Sequence, residues 1–351
     1  MEDQNDQSGT LNRRQFMGRG AALTGAATLS GPTVLGSGGG GDEPSGATAP
    51  VQAPAGGVPP ADALPRRVLG RTGLQITALG LGTAPMGEGP ASVGDCIRVY
   101  SEAIDRGIRY VDTARIYGKA EDALGEVLKT RREQVVLATK CMCDERAKAE
   151  ESFHESLRRL GVDSVDILHL HSTGDRDLDK VLAPGGVWEF FRAMKKEGKA
   201  RFLGITGHNR PAKFVRMIET GDVDVLMCAL NFADRYTYGF EDKVLPAARA
   251  QGTGILAMKV FGGIRGGFAY VRERRPSQMQ ELYLQNSVRY ALEISGVAGL
   301  VIGVHDSEEL RQNLAFVKSY TPLSAKERAS LETHGRRLAE DWGPRWGPVE
   351  S

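Results

Sequence analysis

The 351-residue sequence is poor in cysteine, has no excess of either charge and carries no long apolar run in its body. Four cysteines are too few for a disulfide scaffold. Cys141 and Cys143 would share one face of a strand, but no second cysteine pair completes a metal site with them. The 45 basic and 44 acidic residues argue against binding of nucleic acid through a basic surface. Beyond position 40 no run of about 18 apolar residues occurs, so we expect no stable membrane span.

Glycine is the residue in excess, with 44 copies, and it is concentrated together with proline in the first 65 residues. Such a composition buries too little apolar surface to offset the entropy of the chain, so we expect this stretch to be disordered. It contains Arg13-Arg14, followed by Phe16 and by a weakly apolar, small-residue run at Ala21–Leu35. This order resembles a twin-arginine export signal, which is an address read by a receptor and not an anchor.

We therefore predict a twin-arginine-type signal over residues 1–36 and a Gly/Pro-rich linker over residues 37–65. The twin-arginine export machinery would be a partner, and the expected destination is the periplasm. If the signal is not used, the protein stays in the cytoplasm. The alternative interpretation of the same residues is a disordered basic tail.

From residue 66 the pattern changes to short aliphatic runs that alternate with longer amphipathic stretches. Near-continuous apolar runs are typical of parallel strands covered on both faces. Eight such β/α pairs over about 240 residues predict a (β/α)8 TIM barrel rather than a doubly wound sheet, because a third glycine at the required spacing is missing after Gly80-Leu81-Gly82. The eight predicted strands are Thr77–Leu81, Gly107–Val111, Gln134–Thr139, Ser164–Leu170, Ala200–Thr206, Val223–Leu230, Thr253–Val260 and Val297–Val304.

Two further segments flank the predicted strands. Arg67–Ile76 reads as a β-hairpin that could plug the barrel bottom, and residues 307–315 and 324–340 read as helices. We assign residues 66–320 to the barrel and residues 321–351 to a C-terminal helix and a tail that contains Trp342 and Trp346.

Polar residues at the carboxyl ends of the predicted strands are the candidates for chemistry, because barrel enzymes place their sites there. Asp112 and Lys140 follow neighbouring strands and could form a buried ion pair, which would keep the lysine charged. A tyrosine beside that cation, Tyr117, could give a proton to oxygen, and His171 could orient a carbonyl group. Singly, Asp112 could be a helix cap and Tyr117 a packing residue, and His169 reads best as a satisfied core histidine.

The same residues lie in motifs that together resemble the aldo/keto reductase family from about Arg66 to Lys318. The family's catalytic tetrad carries over onto Asp112, Tyr117, Lys140 and His171. His171 matches rather than His169, because it follows the strand's aspartate, Asp166, by five residues. In chain order the motifs are Leu79–Thr83, Gly107–Gly118, Leu137–Lys140, Asp166–His171, Gly198–Thr206 and Leu310–Asn313.

This resemblance implies reduction of a small-molecule carbonyl by NADP(H), without a metal. The residues that it assigns to the cofactor are Thr83, Asp112, Thr206, Met258, Lys259, Gly303, Val304, Gln312 and Asn313. The pattern also departs from the family. Met227 and Met258 replace a carboxamide-binding glutamine and a ring-stacking tyrosine, and Glu309 stands where an arginine often holds the 2′-phosphate. A carboxylate repels a phosphate, so NADP(H) is preferred while NAD(H) stays open.

Two other function classes remain as alternatives. The altered nicotinamide pocket favours a cofactor-binding sensor or auxiliary subunit with little turnover. The pair His169 and His171 on one strand suggests a metal-dependent hydrolase, although the order of its ligands is wrong for that barrel class. Trp342 and Trp346 would either wall the substrate pocket or pack against the barrel.

Overall fold

The computed structural model describes residues 63–266 and 276–350. The predicted export signal at residues 1–36 lies outside the described residues, as does nearly all of the predicted linker at 37–65. Regular structure begins at β1, Arg66–Val68, and Leu64 just before it is already buried in the core.

Eight parallel strands close a barrel in the order β10-β3-β4-β5-β6-β7-β8-β9, which confirms the predicted (β/α)8 fold. All eight predicted apolar runs contain a strand. The second begins three residues later than predicted, because Gly107 adopts a positive φ of 97° in the turn that leaves the preceding helix. The barrel strands are β3 Leu79–Gly82, β4 Tyr110–Asp112, β5 Val136–Cys141, β6 Val165–Leu170, β7 Ala200–Gly207, β8 Val225–Ala229, β9 Gly254–Met258 and β10 Val297–Gly303.

Helices surround the barrel, and capping boxes fix the starts of two of them. Ser92 and Asp95 exchange hydrogen bonds at the start of α2, and Ser324 and Glu327 do so at the start of α13. Within the described ranges, no helix is long and apolar enough to cross a membrane. The helices are α1 Ala84–Glu88, α2 Val93–Asp105, α3 Ala120–Arg131, α4 Arg146–Leu160, α5 Leu178–Leu182, α6 Val187–Lys196, α7 Pro211–Ile218, α8 Asp234–Thr237, α9 Phe240–Lys243, α10 Leu245–Ala250, α11 Leu284–Glu293, α12 Ser307–Lys318 and α13 Ala325–Trp342.

The predicted hairpin is present and seals the amino-terminal end of the barrel. Strand β1 pairs antiparallel with β2, Gln75–Thr77. Leu69 and Ile76 are fully buried in one cluster with Tyr110 and other inward-facing side chains of the strands. The closed bottom leaves the carboxyl ends of the strands as the place for a site.

Carboxylates at the starts of two strands tie each strand to its neighbours. Asp166, in β6, accepts hydrogen bonds from the Leu137 amide (2.9 Å) and the Arg201 guanidinium (2.7 Å). Asp224 likewise accepts from the Leu203 amide (3.0 Å) and from Lys195 (2.5 Å). Such contacts hold the register of β6, and register decides which side chains of that strand face the barrel axis.

Candidate active site

Four polar side chains that the sequence singles out meet at the carboxyl end of the barrel. We call them the candidate tetrad: Asp112 at the end of β4, Tyr117 in the loop after it, Lys140 in β5 and His171 directly after β6. Parallel strands in register bring their carboxyl ends to one rim, so residues that are far apart in sequence become neighbours.

Lys140 is the centre of this cluster. Its Nζ donates to Asp112 Oδ2 at 2.5 Å, to the Thr113 carbonyl at 2.7 Å and to Tyr117 Oη at 3.3 Å. Tyr117 Oη in turn lies 3.5 Å from His171 Nε2, with the two rings edge to face. The sequence therefore predicted correctly which side chains come together.

Close backbone packing fixes the loop that carries Tyr117. Gly118 has a φ of +54°, and an added Cβ there would lie 2.4 Å from the Gly87 carbonyl oxygen of α1. A Cβ on Gly87 would lie 2.3 Å from the Tyr117 carbonyl oxygen. Only glycine fits at both places, so the pair holds the phenol at the rim.

The ion pair of Asp112 and Lys140 is almost fully buried, and burial acts against both charges. Desolvation raises the pKa of the Asp112 carboxyl and lowers the pKa of the Lys140 ammonium, while the attraction between the two opposes each shift. Since the contact is only 2.5 Å long and is joined by the Thr113 carbonyl, the charged pair has hydrogen-bonding partners on both sides.

Both histidines of β6 are held in the neutral form. Burial lowers the pKa of His171 well below its usual value, and the charge of Lys140 lowers it further. The same two causes act on His169. His169 is in the core, as expected, but the expectation that it would be satisfied is wrong. Its two ring nitrogens form no hydrogen bond with the described residues, because it packs against Gly204 in the barrel interior.

A cavity of about 1000 Å³, open to solvent, runs from the candidate tetrad to the start of α12. Most of the residues that the resemblance assigned to the cofactor line it, namely Thr83, Asp112, Met258, Lys259, Gly303, Gln312 and Asn313. Thr206 and Val304 are buried and are not among the lining residues, so the structure does not bring these two to the cavity.

Sequence reasoning missed the segment after β9 that forms one wall of the cavity. Its lining residues are Val260, Phe261, Gly263 and Ile264, and Ser277 and Leu284 extend the wall. The consecutive glycines Gly262-Gly263 were the available signal, because paired glycines mark a turn where backbones approach closely.

At its far end the cavity meets the first turn of α12. Asp306 caps this helix through the amides of Glu308 and Glu309. Glu309 Oε2 accepts a hydrogen bond from the His305 amide (2.8 Å) and lies 3.1 Å from His305 Nδ1. The carboxylate that the sequence placed at a phosphate position is therefore engaged by its own chain.

The C-terminal tail, residues 343–348, folds back across the rim of the barrel. Arg345 forms a two-pronged ion pair with buried Asp234 (2.8 and 2.9 Å) and donates to the Gly262 carbonyl (3.1 Å). Trp346 is buried, and its ring lies 5.3 Å from that of His208. The tail thus packs on the barrel and also forms part of the rim.

No group of three or more His, Cys, Asp or Glu side chains in residues 63–266 and 276–350 is arranged to hold a metal ion. Cys141 and Cys143 are both free thiols, and the first is buried.

Comparison with known proteins agrees with this architecture. The sequence model of the Aldo/keto reductase family matches residues 78–286. The chain is 29 % identical to pyridoxal 4-dehydrogenase of Microbacterium luteolum, over 73 % of this chain and 94 % of that enzyme. It is 33 % identical to L-galactose dehydrogenase of Arabidopsis thaliana, over 54 % of this chain but only 63 % of that enzyme.

A solved structure with the same fold is a putative aldo-keto reductase from Pseudomonas aeruginosa. It is 26 % identical, with a TM-score of 0.60 over 72 % of this chain and 94 % of that one. A closed eight-stranded barrel and a family match over more than half of the sequence lead to one conclusion: the chain belongs to the aldo/keto reductase family of NAD(P)H-dependent oxidoreductases.

Proposed function

We propose that the protein uses NADP(H) to reduce an aldehyde or ketone to an alcohol, with Tyr117 as the proton donor. The observation that carries this proposal is the contact of the Lys140 ammonium with both Asp112 Oδ2 (2.5 Å) and Tyr117 Oη (3.3 Å). This arrangement places a cation, held by a carboxylate, against a phenol that borders an open cavity.

When bound, the cofactor supplies a hydride to the carbonyl carbon. Tyr117 donates its proton to the carbonyl oxygen, and Lys140 stabilises the negative charge left on the phenol oxygen. Asp112 holds Lys140 in place and favours its charged form in a buried setting.

His171 adds a second hydrogen bond to the same oxygen. Its Nε2 lies 3.5 Å from Tyr117 Oη, so one acceptor atom can contact both groups. Because burial keeps this imidazole neutral, it acts as a donor in the tautomer with the proton on Nε2. Two donors that converge on one oxygen stabilise the charge that develops there.

The cavity residues fit a dinucleotide. Asp112 Oδ1 is buried and accepts no hydrogen bond from the described residues, which leaves an acceptor beside the tetrad for a polar group. The residues proposed to hold the cofactor are Thr83, Met258, Gly303, Gln312 and Asn313 in the lining, with Lys259 at the tetrad end. We keep Thr206 as a candidate that would need a side-chain or loop rearrangement to reach it.

We propose NADP(H) as the preferred cofactor over NAD(H). The contacts of Glu309 with the His305 amide and imidazole, at the positive end of α12, offset its charge and support this choice. The relatives divide on this point. An aldo/keto reductase of Klebsiella pneumoniae was crystallised with NADP, whereas a relative from Escherichia coli is an NADH-specific methylglyoxal reductase.

Fluorescence titration of the full chain with NADPH and NADH tests the cofactor, and a single-turnover measurement tests the chemistry. With the neutral aldehyde methyl 4-formylbenzoate, Tyr117→Phe should lower the reduction rate by roughly 100-fold or more at unchanged cofactor affinity. Tyr320→Phe, after α12, is the matched control. Failure of either nucleotide to bind the wild-type chain would overturn the proposal.

We further propose that the protein is exported by the twin-arginine route. The support is the Arg13-Arg14 pair ahead of a weakly apolar run. Replacement of both arginines by lysine should retain the protein in the cytoplasm, and fractionation of cells that carry the two versions measures this. Equal distribution of both versions would contradict the proposal.

A cofactor-binding sensor is the second candidate, favoured by the thioethers Met227 and Met258 in the cavity lining. Tight NADPH binding without oxidation of the cofactor by any aldehyde would favour it over the reductase.

A further inference from the structure

Lys259 has an unusual backbone conformation at the end of β9. In a strand, successive side chains point to opposite faces, yet both Met258 and Lys259 line the cavity. The reason is a φ of +55° at Lys259, a left-handed conformation that is uncommon for a residue with a side chain. The turn directs a lysine into the cavity that a regular strand would direct away from it.

Neighbouring groups enforce this conformation. The Lys259 carbonyl accepts hydrogen bonds from Asn231 Nδ2 (3.0 Å) and from the Gly262 amide (2.7 Å). Asn231 is itself fixed, because it also donates to Asp234 (2.6 Å). Glycine would adopt the same backbone without strain. A strained residue that its surroundings hold firmly is typical of a functional site, and here the strain serves to place an ammonium group.

The ammonium lies at the tetrad end of the cavity. Its Nζ is 5.3 Å from the centre of the Trp346 ring, which packs against His208. Its charge acts on both Asp112 and Lys140. The opposite end of the cavity, at Glu309 and Gln312, lies at α12.

Two kinds of anion could meet this group, a carboxylate on the substrate or the diphosphate of the cofactor. In a dinucleotide the diphosphate is separated from the nicotinamide by a ribose, so it lies away from the reacting carbon. Because Lys259 is grouped with Trp346 and the tetrad, its position favours the substrate.

We propose that Lys259 binds a carboxylate of the substrate, so that the enzyme prefers carbonyl compounds that carry this group. The inference rests on the proposed reductase function. Among the charged lining residues, Asp112 is bound by Lys140 and Glu309 by His305, whereas Lys259 contributes the positive charge beside the reacting group. A carboxylate would form a charge-assisted hydrogen bond with it.

The test compares two aldehydes of nearly the same shape, 4-carboxybenzaldehyde and its neutral ester methyl 4-formylbenzoate. Wild type should show a higher kcat/KM for the acid. Lys259→Met should lower that value by about 10- to 100-fold, the usual worth of a hydrogen bond to a charged group, and leave the ester nearly unchanged. Lys259→Arg should restore much of the preference. Exposed Lys196, at the end of α6, gives the control Lys196→Met.

Lys259→Gly separates function from folding, because it relieves the backbone and removes the ammonium together. It should unfold at a temperature no lower than wild type and still lose the preference for the acid.

Three results would overturn the inference. Equal use of acid and ester by wild type would remove the substrate preference but leave the reductase proposal intact. A weaker affinity of Lys259→Met for NADPH, with an unchanged acid preference, would assign the ammonium to the cofactor diphosphate. Reduction of neither aldehyde by wild type, with NADPH bound, would remove the reductase function and this inference with it.

Discussion

Gly204 of β7 lies opposite His169 of β6, and a Cβ added to this glycine would be 2.2 Å from His169 Nδ1. The imidazole therefore occupies the space that a side chain at position 204 would need. Since His169 is fully buried and neighbours Lys140, this exchange of volume takes place directly beside the candidate tetrad.

Gly204→Ala should lower the free energy of unfolding by about 1–3 kcal/mol, because overpacking a close-packed interior forces side chains off their preferred rotamers. Urea denaturation measures the change. The double variant Gly204→Ala/His169→Ala should recover part of the loss, since the smaller residue leaves room for the added methyl group. Strict additivity of the two single effects would show that the sites do not share space.

The stability of the fold should decrease in mild acid. Burial lowers the folded-state pKa of His169 and His171 well below 6.5, so the unfolded chain takes up protons that the folded chain refuses. The unfolding free energy is therefore highest above pH 6.5 and falls as the pH is lowered towards the folded-state pKa values. His169→Leu should reduce this slope by up to about 1.4 kcal/mol per pH unit. Exposed His154, replaced in the same way, should leave the slope unchanged.

Asp112→Asn tests the buried ion pair. Without the carboxylate, burial lowers the pKa of Lys140 unopposed, and the lysine loses the charge that stabilises the phenolate of Tyr117. The reduction rate should fall by roughly 100-fold or more, and the fold should lose about 3 kcal/mol of stability. Steady-state kinetics and urea denaturation measure the two effects. Asp179→Asn, on an exposed ion pair, is the control. A kcat within threefold of wild type would show that Lys140 needs no carboxylate.

Arg345→Met should weaken cofactor binding from a distance. Arg345 joins the tail to Asp234 and to the Gly262 carbonyl, next to the residues that wall the cavity. Its loss would leave that wall to be ordered by the cofactor, with an expected rise in the NADPH Kd of about tenfold. Fluorescence titration measures the Kd, and exposed Arg337, on α13, provides the control Arg337→Met. An unchanged Kd would limit the tail to a packing role.

The fold and the tetrad are predictable from the sequence because both depend on short-range patterns. Eight apolar runs at the right spacing predict the barrel, and the rule that chemistry lies at strand ends selects Asp112, Lys140 and His171 without any coordinates. Tyr117 needs one step more, since it lies in a loop, but a loop of only four residues between Asp112 and Tyr117 keeps it near its strand.

The far parts of the site depend on contacts that no local pattern encodes. Arg345 and Asp234 are more than a hundred residues apart, and nothing in either segment indicates the pairing. Thr206 shows a second limit. Its place at the end of a strand is correct, but whether a hydroxyl there reaches the cavity depends on barrel packing, which buries it. The φ of Lys259 is set by Asn231 and Gly262, which meet it only in the folded chain.

The plug formed by Leu69 and Ile76 has a consequence for how protons move. With the amino-terminal end of the barrel sealed, water reaches Lys140 and Tyr117 through the rim alone. A molecule that fills the cavity therefore also separates these groups from bulk solvent. If Tyr117 gives up its proton in the closed complex, it regains one only after the product has left, so each turnover begins with the departure of the last.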